Sequence, residues 1–402
     1  MKISFIRKRR IVTICKRPVM NVVQLIGTSG GVMLVMIIIL LIMLLTGCTA
    51  ADDCAQGGKY PQTTGSAVVF SVADSTARGT TRTAQGTMTL DGSGSTVSLR
   101  EKGFGVFACH TGTHPYVSTS TTANVMHNQL VTWNDVNSVW EYSPLVYWPN
   151  GTTGNKEYVT FFAYAPHSTN ANGCIVDMST SDEKGDPWIL YQLGGTANAD
   201  GADGWKAKQV DLLYDFQKDQ QRGDEISTRV DFDFKHALAC IGDRIQMTCD
   251  ASVTERLKGV YGGSTVEFTV TQITLDYLLT RKGRLILNNA TQPNWEAVES
   301  EDSKVHRTLT FNPNLVMARA TSATDSETAD FDSGTGHGIF YIPIESGTEK
   351  QQVTITADYT ITSGDPAETI EEGSVTAVVE LNFVSNPNQG RNLNITLRIP
   401  NI

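Results

Sequence analysis

Val375-Thr376-Ala377-Val378-Val379-Glu380-Leu381-Asn382-Phe383 reads as an extended strand, with Val375, Ala377, Val379, Leu381 and Phe383 all on one side. Downstream, Asn386-Pro387-Asn388-Gln389-Gly390 turns the chain, and Leu393, Ile395, Leu397 and Ile399 repeat the alternation. Upstream, the same period of two recurs at Val353, Ile355, Ala357, Tyr359 and Ile361, and at Val266, Phe268 and Val270. Val230, Phe232 and Phe234 alternate with Asp231, Asp233 and Lys235. The run Val159-Thr160-Phe161-Phe162-Ala163-Tyr164-Ala165-Pro166 is almost wholly apolar, as a central strand covered on both faces should be. Turn clusters at Asp91-Gly92-Ser93-Gly94-Ser95 and Pro149-Asn150-Gly151, and polar loops at 193–205 and 217–225, punctuate these strands. No long amphipathic helix stands out. The pattern predicts an all-β protein of stacked β-sandwiches, two of them by length, with a junction near 220–230.

The N-terminus reads differently. Lys2, Arg7, Lys8, Arg9, Arg10, Lys16 and Arg17 precede an apolar run, Val32 to Leu45, and no acid occurs among the first 47 residues. That is the secretory pattern, with an apolar run shorter than the roughly 20 residues a membrane span needs. The run ends in Leu45-Thr46-Gly47-Cys48, which resembles the bacterial lipobox, with Cys48 as the acylated first residue of the mature chain. Each buried CH₂ of an acyl chain contributes about 0.8 kcal/mol to anchoring. Residues 1–47 are therefore expected to be a lipoprotein signal peptide, and residues 48–63 a solvated tether carrying Asp52 and Asp53.

Removal of the seven leader cations takes the formal net charge from −10 to −17, which argues against nucleic acid and against anionic lipid surfaces. Charged residues make up only 18% of the chain, while Thr, Ser, Gly and Asn are abundant, as in extracellular β-proteins. Cys54, Cys109, Cys174, Cys240 and Cys249 form no CxxC; Cys240 and Cys249 could bridge neighbouring strands.

Chemistry is scarce. Cys109-His110 with His114 and His127 has metal-like spacing but lacks a convincing fourth ligand, so no metal site is expected. His236, at the end of an alternating strand, reads as structural. The stretches 198–204 and 330–336 miss the calcium-loop pattern, and Arg222-Gly223-Asp224 is a tripeptide that polar loops also produce by chance. No catalytic constellation or cofactor motif appears, so neither an enzyme nor a cofactor is expected. Trp140, Tyr142, Tyr147, Trp148, Phe161, Phe162 and Tyr164 concentrate aromatic surface, which would either fill a sandwich core or stack on sugar rings. Val68, Phe70 and Val72 share one face of a short strand. The polar stretch after it holds Arg78 and Arg82, in a setting where proteases find extended backbone.

Several stretches together resemble the fimbrillin-like (Mfa-like) pilin and adhesin family of Bacteroidales. Tyr147-Trp148-Pro149 followed by Val159 to Pro166 resembles one family signature, and Val230 to Ala239 another. Gly390-Arg391-Asn392-Leu393-Asn394-Ile395-Thr396-Leu397 is similar to the family's final strand, with Leu393 where Tyr is usual, and Thr81-Arg82-Thr83 resembles a third element. The resemblance implies two tandem transthyretin-like β-sandwiches, at 64–227 and 228–402, with 64–82 a removable first strand. It implies a structural or adhesive subunit of cell-surface fimbriae, exported to the outer membrane as a lipoprotein on Cys48. An arginine-specific surface protease would cut at Arg82 or Arg78, and other pilin subunits would be the partners. Val68, Phe70 and Val72 would be the plug residues of an exchangeable strand, and Leu393, Ile395 and Leu397 a donor strand or an ordinary closing strand. The alternative from the residues is a stationary outer-membrane glycan-binding lipoprotein using the 140–164 aromatics.

Overall fold

The apolar run 159–165 does form the centre of a sheet. In the computed structural model, β7 (Tyr158–Ala165) lies in a six-stranded antiparallel sheet with β4 (Phe104–Gly112) on one side and β10 (Leu213–Gln220) on the other. β12 (Lys235–His236) follows β10 at one edge, and β5 (Met126–Asn134) and β6 (Val139–Glu141) follow β4 at the other. From Val159 to Ala165 every residue of β7 is buried, because layers cover both faces of this sheet. The structure describes residues 66–73, 87–92, 97–149, 157–194, 209–222, 229–249, 251–261, 265–289, 291–298, 304–319, 331–332, 338–344, 350–364, 366–381 and 392–399.

A second large sheet is built on β14 (Glu267–Thr280). It pairs with β21 (Gln352–Ser363) on one side, and with β17 (Lys304–Phe311) and β18 (Leu315–Arg319) on the other; β22 (Glu368–Glu380) closes the edge beyond β21. β13 (Ala239–Cys249) pairs with β19 (Phe331–Asp332), with β20 (Ile339–Tyr341) and, in parallel, with β23 (Asn392–Ile399). A further sheet runs β16 (Asn294–Ala297), β15 (Lys282–Ile286), β9 (Trp188–Gln192), β8 (Ile175–Met178). Two short parallel pairs complete the set: β1 (Val69–Val72) with β11 (Arg229–Phe232), and β2 (Met88–Thr89) with β3 (Val97–Ser98). The described residues all fall within one unit, Tyr60–Ile402. Ladders cross the expected junction at 227/228: β11 pairs with β1, β12 with β10, and β15 with β9.

The all-β expectation holds, with differences in detail. A helix was not anticipated at Ala251–Tyr261 (α2; α1 is the single turn Leu99–Lys102), yet Val253, Leu257 and Tyr261 recur every four residues and turn one side inward. The loop expected from Gln217 starts later, because β10 extends to Gln220. Cys240 and Cys249 cannot bridge two strands, since both lie on β13, nine residues and roughly 30 Å apart. In the most regular alternation Leu381 is buried at 5%, but the residues before it are not. On β21, Val353, Ile355 and Ala357 are buried, but their partners on β22, Val379, Ala377 and Val375, are exposed or half-buried. The apolar face continues past the layer that covers it. Among the described residues no helix is long and apolar enough to cross a membrane.

Candidate functional site

The site is the slot that holds β1. Along one side β1 pairs in parallel with β11, register Val69↔Arg229 to Val72↔Phe232. Just before it, residues 66–68 meet the 146–148 segment running antiparallel: the Val68 amide donates to the Val146 carbonyl at 2.8 Å, and the Trp148 amide to the Ser66 carbonyl at 3.0 Å. Below, the Ala73 amide donates to the Phe232 carbonyl at 2.7 Å. The 66–73 stretch is thus held by two backbone edges in succession, 146–148 at residues 66–68 and β11 at residues 69–73.

The expected plug residues behave as the alternation demands. Val68 and Phe70 are each 2% exposed and Val72 packs half-buried against the core, whereas Val69 faces outward at 43%. The Phe70 ring sits among Tyr142, Phe232, Phe161 and Phe104 at centroid separations of 5.3, 5.6, 5.9 and 6.2 Å. Burying such a side chain contributes about 1.5–3 kcal/mol, with a further 0.5–1.5 kcal/mol for well-set aromatic pairs. The Tyr142 hydroxyl donates to the Val68 carbonyl at 2.8 Å. Burial pushes that hydroxyl's pKa up to about 12, so it stays a neutral donor at physiological pH. Ser71 donates to Asp231, and the exposed Arg229 pairs with Asp231 at 2.7 Å, an ion pair of little energetic weight.

Downstream of β1 the chain is caught again at Met88. Its amide donates to the buried Asp211 carboxylate at 3.3 Å, and Asp211 also holds His236 Nδ1 at 2.6 Å, which gives the histidine its structural role. Cys48, Arg78 and Arg82 lie outside the described residues. The backbones of Leu393, Ile395 and Leu397 lie on β23, in parallel register with Ile241, Ile245 and Met247 of β13, so in this subunit that strand closes its own sheet.

The metal-like group is dispersed. Cys109 is a buried thiol whose pKa burial raises to about 12, His110 Nε2 contacts Glu157 at 2.6 Å, and His127 Nε2 bonds the Ser179 carbonyl at 2.7 Å. Among the described residues no three potential ligands converge. Of the aromatic concentration, Trp140, Tyr142, Trp148, Phe161, Phe162 and Tyr164 are buried and only Tyr147 is exposed, at 47%. They line the core and, in part, the β1 slot. The sequence reading missed the cage around Phe70 because its four members come from four places: β4, the segment after β6, β7 and β11. Their abundance was visible; their convergence was not.

No curated protein matches the chain. Among solved structures it is similar to a fimbrial protein from Bacteroides vulgatus, with 19% identity over 83% of this chain and 95% of that one and a TM-score of 0.48. It is similar also to a candidate cell adhesion protein from Bacteroides uniformis, with 10% identity over 80% of this chain and 100% of that one and a TM-score of 0.34. The model of the fimbrillin-like family matches residues 81–399, starting after β1 and next to Arg82. With that match spanning most of its 402 residues, the chain belongs to the fimbrillin-like family.

Proposed function

We propose that the protein is a structural or adhesive subunit of cell-surface fimbriae, delivered to the outer membrane as a lipoprotein on Cys48 and assembled by strand exchange. In this reading an arginine-specific protease cuts at Arg82, or at Arg78, and β1 leaves with the lipid-bearing piece. The vacated slot then takes an extended strand from another pilin subunit, by backbone pairing and by apolar side chains entering the cage. A head-to-tail contact of that kind does not close on itself and so generates a filament.

The observation that carries the reading is the way β1 is held. It is a four-residue strand, separate from the main sheets, whose Phe70 nevertheless fills the centre of an aromatic cage. A short ladder is simple to exchange, and a deep apolar anchor makes an empty slot costly. Of the aromatics on which a glycan-binding alternative would draw, Trp140, Tyr142, Trp148, Phe161, Phe162 and Tyr164 are buried and Tyr147 is exposed, which supports the subunit reading over the glycan-binding one.

N-terminal sequencing of the surface-exposed form tests the maturation step. The expected first residue is Thr83, or Gly79 for the earlier cut. A surface form that starts at acylated Cys48 removes cleavage and strand exchange from the account. A ladder of SDS-resistant multimers in the cleaved form is the expected sign of assembly, and a cleaved form that stays monomeric counts against it.

A further inference from the structure

Among the described residues β22 has a strand partner on one edge only, and it belongs to a different sheet from β1. The strand is 13 residues long, roughly 44 Å, and pairs only with β21 among the described residues. Proteins usually protect such edges with lysine, proline or brevity. β22 has no lysine or proline and is long; what guards its edge is four glutamates and one irregularity in its register with β21. It exposes Ile370 at 47%, Val378 at 58% and Val379 at 46%, so both faces of the strand offer apolar contact. Its charges are all of one sign: Glu368, Glu371, Glu372 and Glu380, with no Lys or Arg along the strand. Lys350, 2.8 Å from Glu380 in an exposed pair, offsets one of the four charges, and Glu371 accepts from the Tyr261 hydroxyl at 3.0 Å.

We propose that the β22 edge receives, by strand addition, an extended segment of a partner protein in which apolar residues alternate with basic ones. The backbone edge supplies the pairing, Val378 and Val379 the apolar contact on either face, and the glutamates the preference for a cationic strand. The same glutamates disfavour a second copy as occupant. Edge-to-edge pairing of two β22 strands would bring eight carboxylates onto one ribbon in a chain whose net charge is already −10. An acidic edge is thus closed to its own kind and open to a basic strand.

The test uses the purified full chain and two labelled ten-residue peptides, one alternating Lys with Val and one alternating Glu with Val. Fluorescence anisotropy should show the Lys peptide binding at least ten-fold tighter than the Glu peptide, with affinity falling as salt rises. Hydrogen exchange should show new amide protection along 368–380. Thr376→Lys/Val378→Lys should weaken the Lys peptide at least ten-fold. Both sites are exposed, and the change removes only the exposed Thr356–Thr376 hydroxyl contact, so thermal unfolding should stay close to that of the parent chain. Glu368→Lys/Glu372→Lys should narrow or reverse the preference between peptides without removing apolar contacts. Equal binding of both peptides, or protection confined to β1 and β11, would overturn the proposal. So would a dimer seen by ultracentrifugation that Thr376→Lys/Val378→Lys abolishes, since it would make a second copy the occupant.

Discussion

Phe70 joins β1 to the rest of the molecule through ring contacts with Phe104, Tyr142, Phe161 and Phe232. Truncation to alanine empties the cage in a packed core, where Phe→Ala typically costs about 3–5 kcal/mol. Phe70→Ala in the uncleaved chain should lower unfolding stability by about that amount in a denaturant titration. Phe70→Leu should lose clearly less, because it keeps most of the volume. Asp215 gives a pH-dependent counterpart. Burial raises its carboxyl pKa above the usual 3.8, against the opposing hydrogen bonds from Gln217 and the Asp233 amide and the charge of Lys235. The folded state then binds a proton more tightly than the unfolded chain does. Its contribution is fully present below about pH 3.8 and is lost as pH rises through the raised folded value. Asp215→Asn removes the titration. The stability difference, parent minus Asp215→Asn, should therefore grow as pH falls from 7 and level off below about 3.8, measured by urea unfolding across pH.

At the scale of elements, the β21–β22 hairpin combines a long ladder with a local weak point. Gly373 lies opposite Tyr359, whose hydroxyl would sit 2.6 Å from an added Cβ. Tyr359 packs on Phe268 at 5.0 Å between ring centroids, so its ring covers the glycine while holding the hairpin to β14. Gly373→Ala should push the ring off that contact and cost about 1–3 kcal/mol, the usual range for overpacking. In a Tyr359→Ala background the same change should cost much less, and a double-mutant cycle measures the coupling. β1 behaves oppositely: its ladder is short, and its hold comes from one deep side chain.

For the whole molecule, the slot should define two states of the subunit. A chain beginning at Thr83 would leave the Phe70 cage open between β11 and the 146–148 segment, with Met88 still tied to Asp211. That truncated chain is expected to self-associate or expose apolar surface, seen as binding of a hydrophobic dye. A peptide of residues 66–73 should restore the closed state, whereas the same peptide with Phe70→Asp should not. Restoration by both peptides, or by neither, would argue against a slot specific for an apolar strand. β23 enters the same account at this scale. In the closed subunit it pairs with β13, so acting as a donor elsewhere would require it to give up that register.

Period-two alternation along the chain determined the β class and the inward face of Val68, Phe70 and Val72, because strand side chains must point to opposite faces, and the unbroken apolar run 159–165 determined its central place. The same logic, applied to helical spacing, could have found Val253, Leu257 and Tyr261, but three contacts in eleven residues make a faint signal beside strands on either side. Alternation states which residues share a face; it cannot state what lies over that face. Val375, Ala377 and Val379 share one side of the most regular alternation, yet Val375 is half-buried and Ala377 and Val379 are exposed, whereas their β21 partners Ala357, Ile355 and Val353 are buried. The parallel pairing of β1 with β11 across some 160 residues, and the meeting of four rings around Phe70, are long-range events that no local period encodes. Local pattern chose the elements, and packing between distant segments decided which of them form the slot and which form the edge.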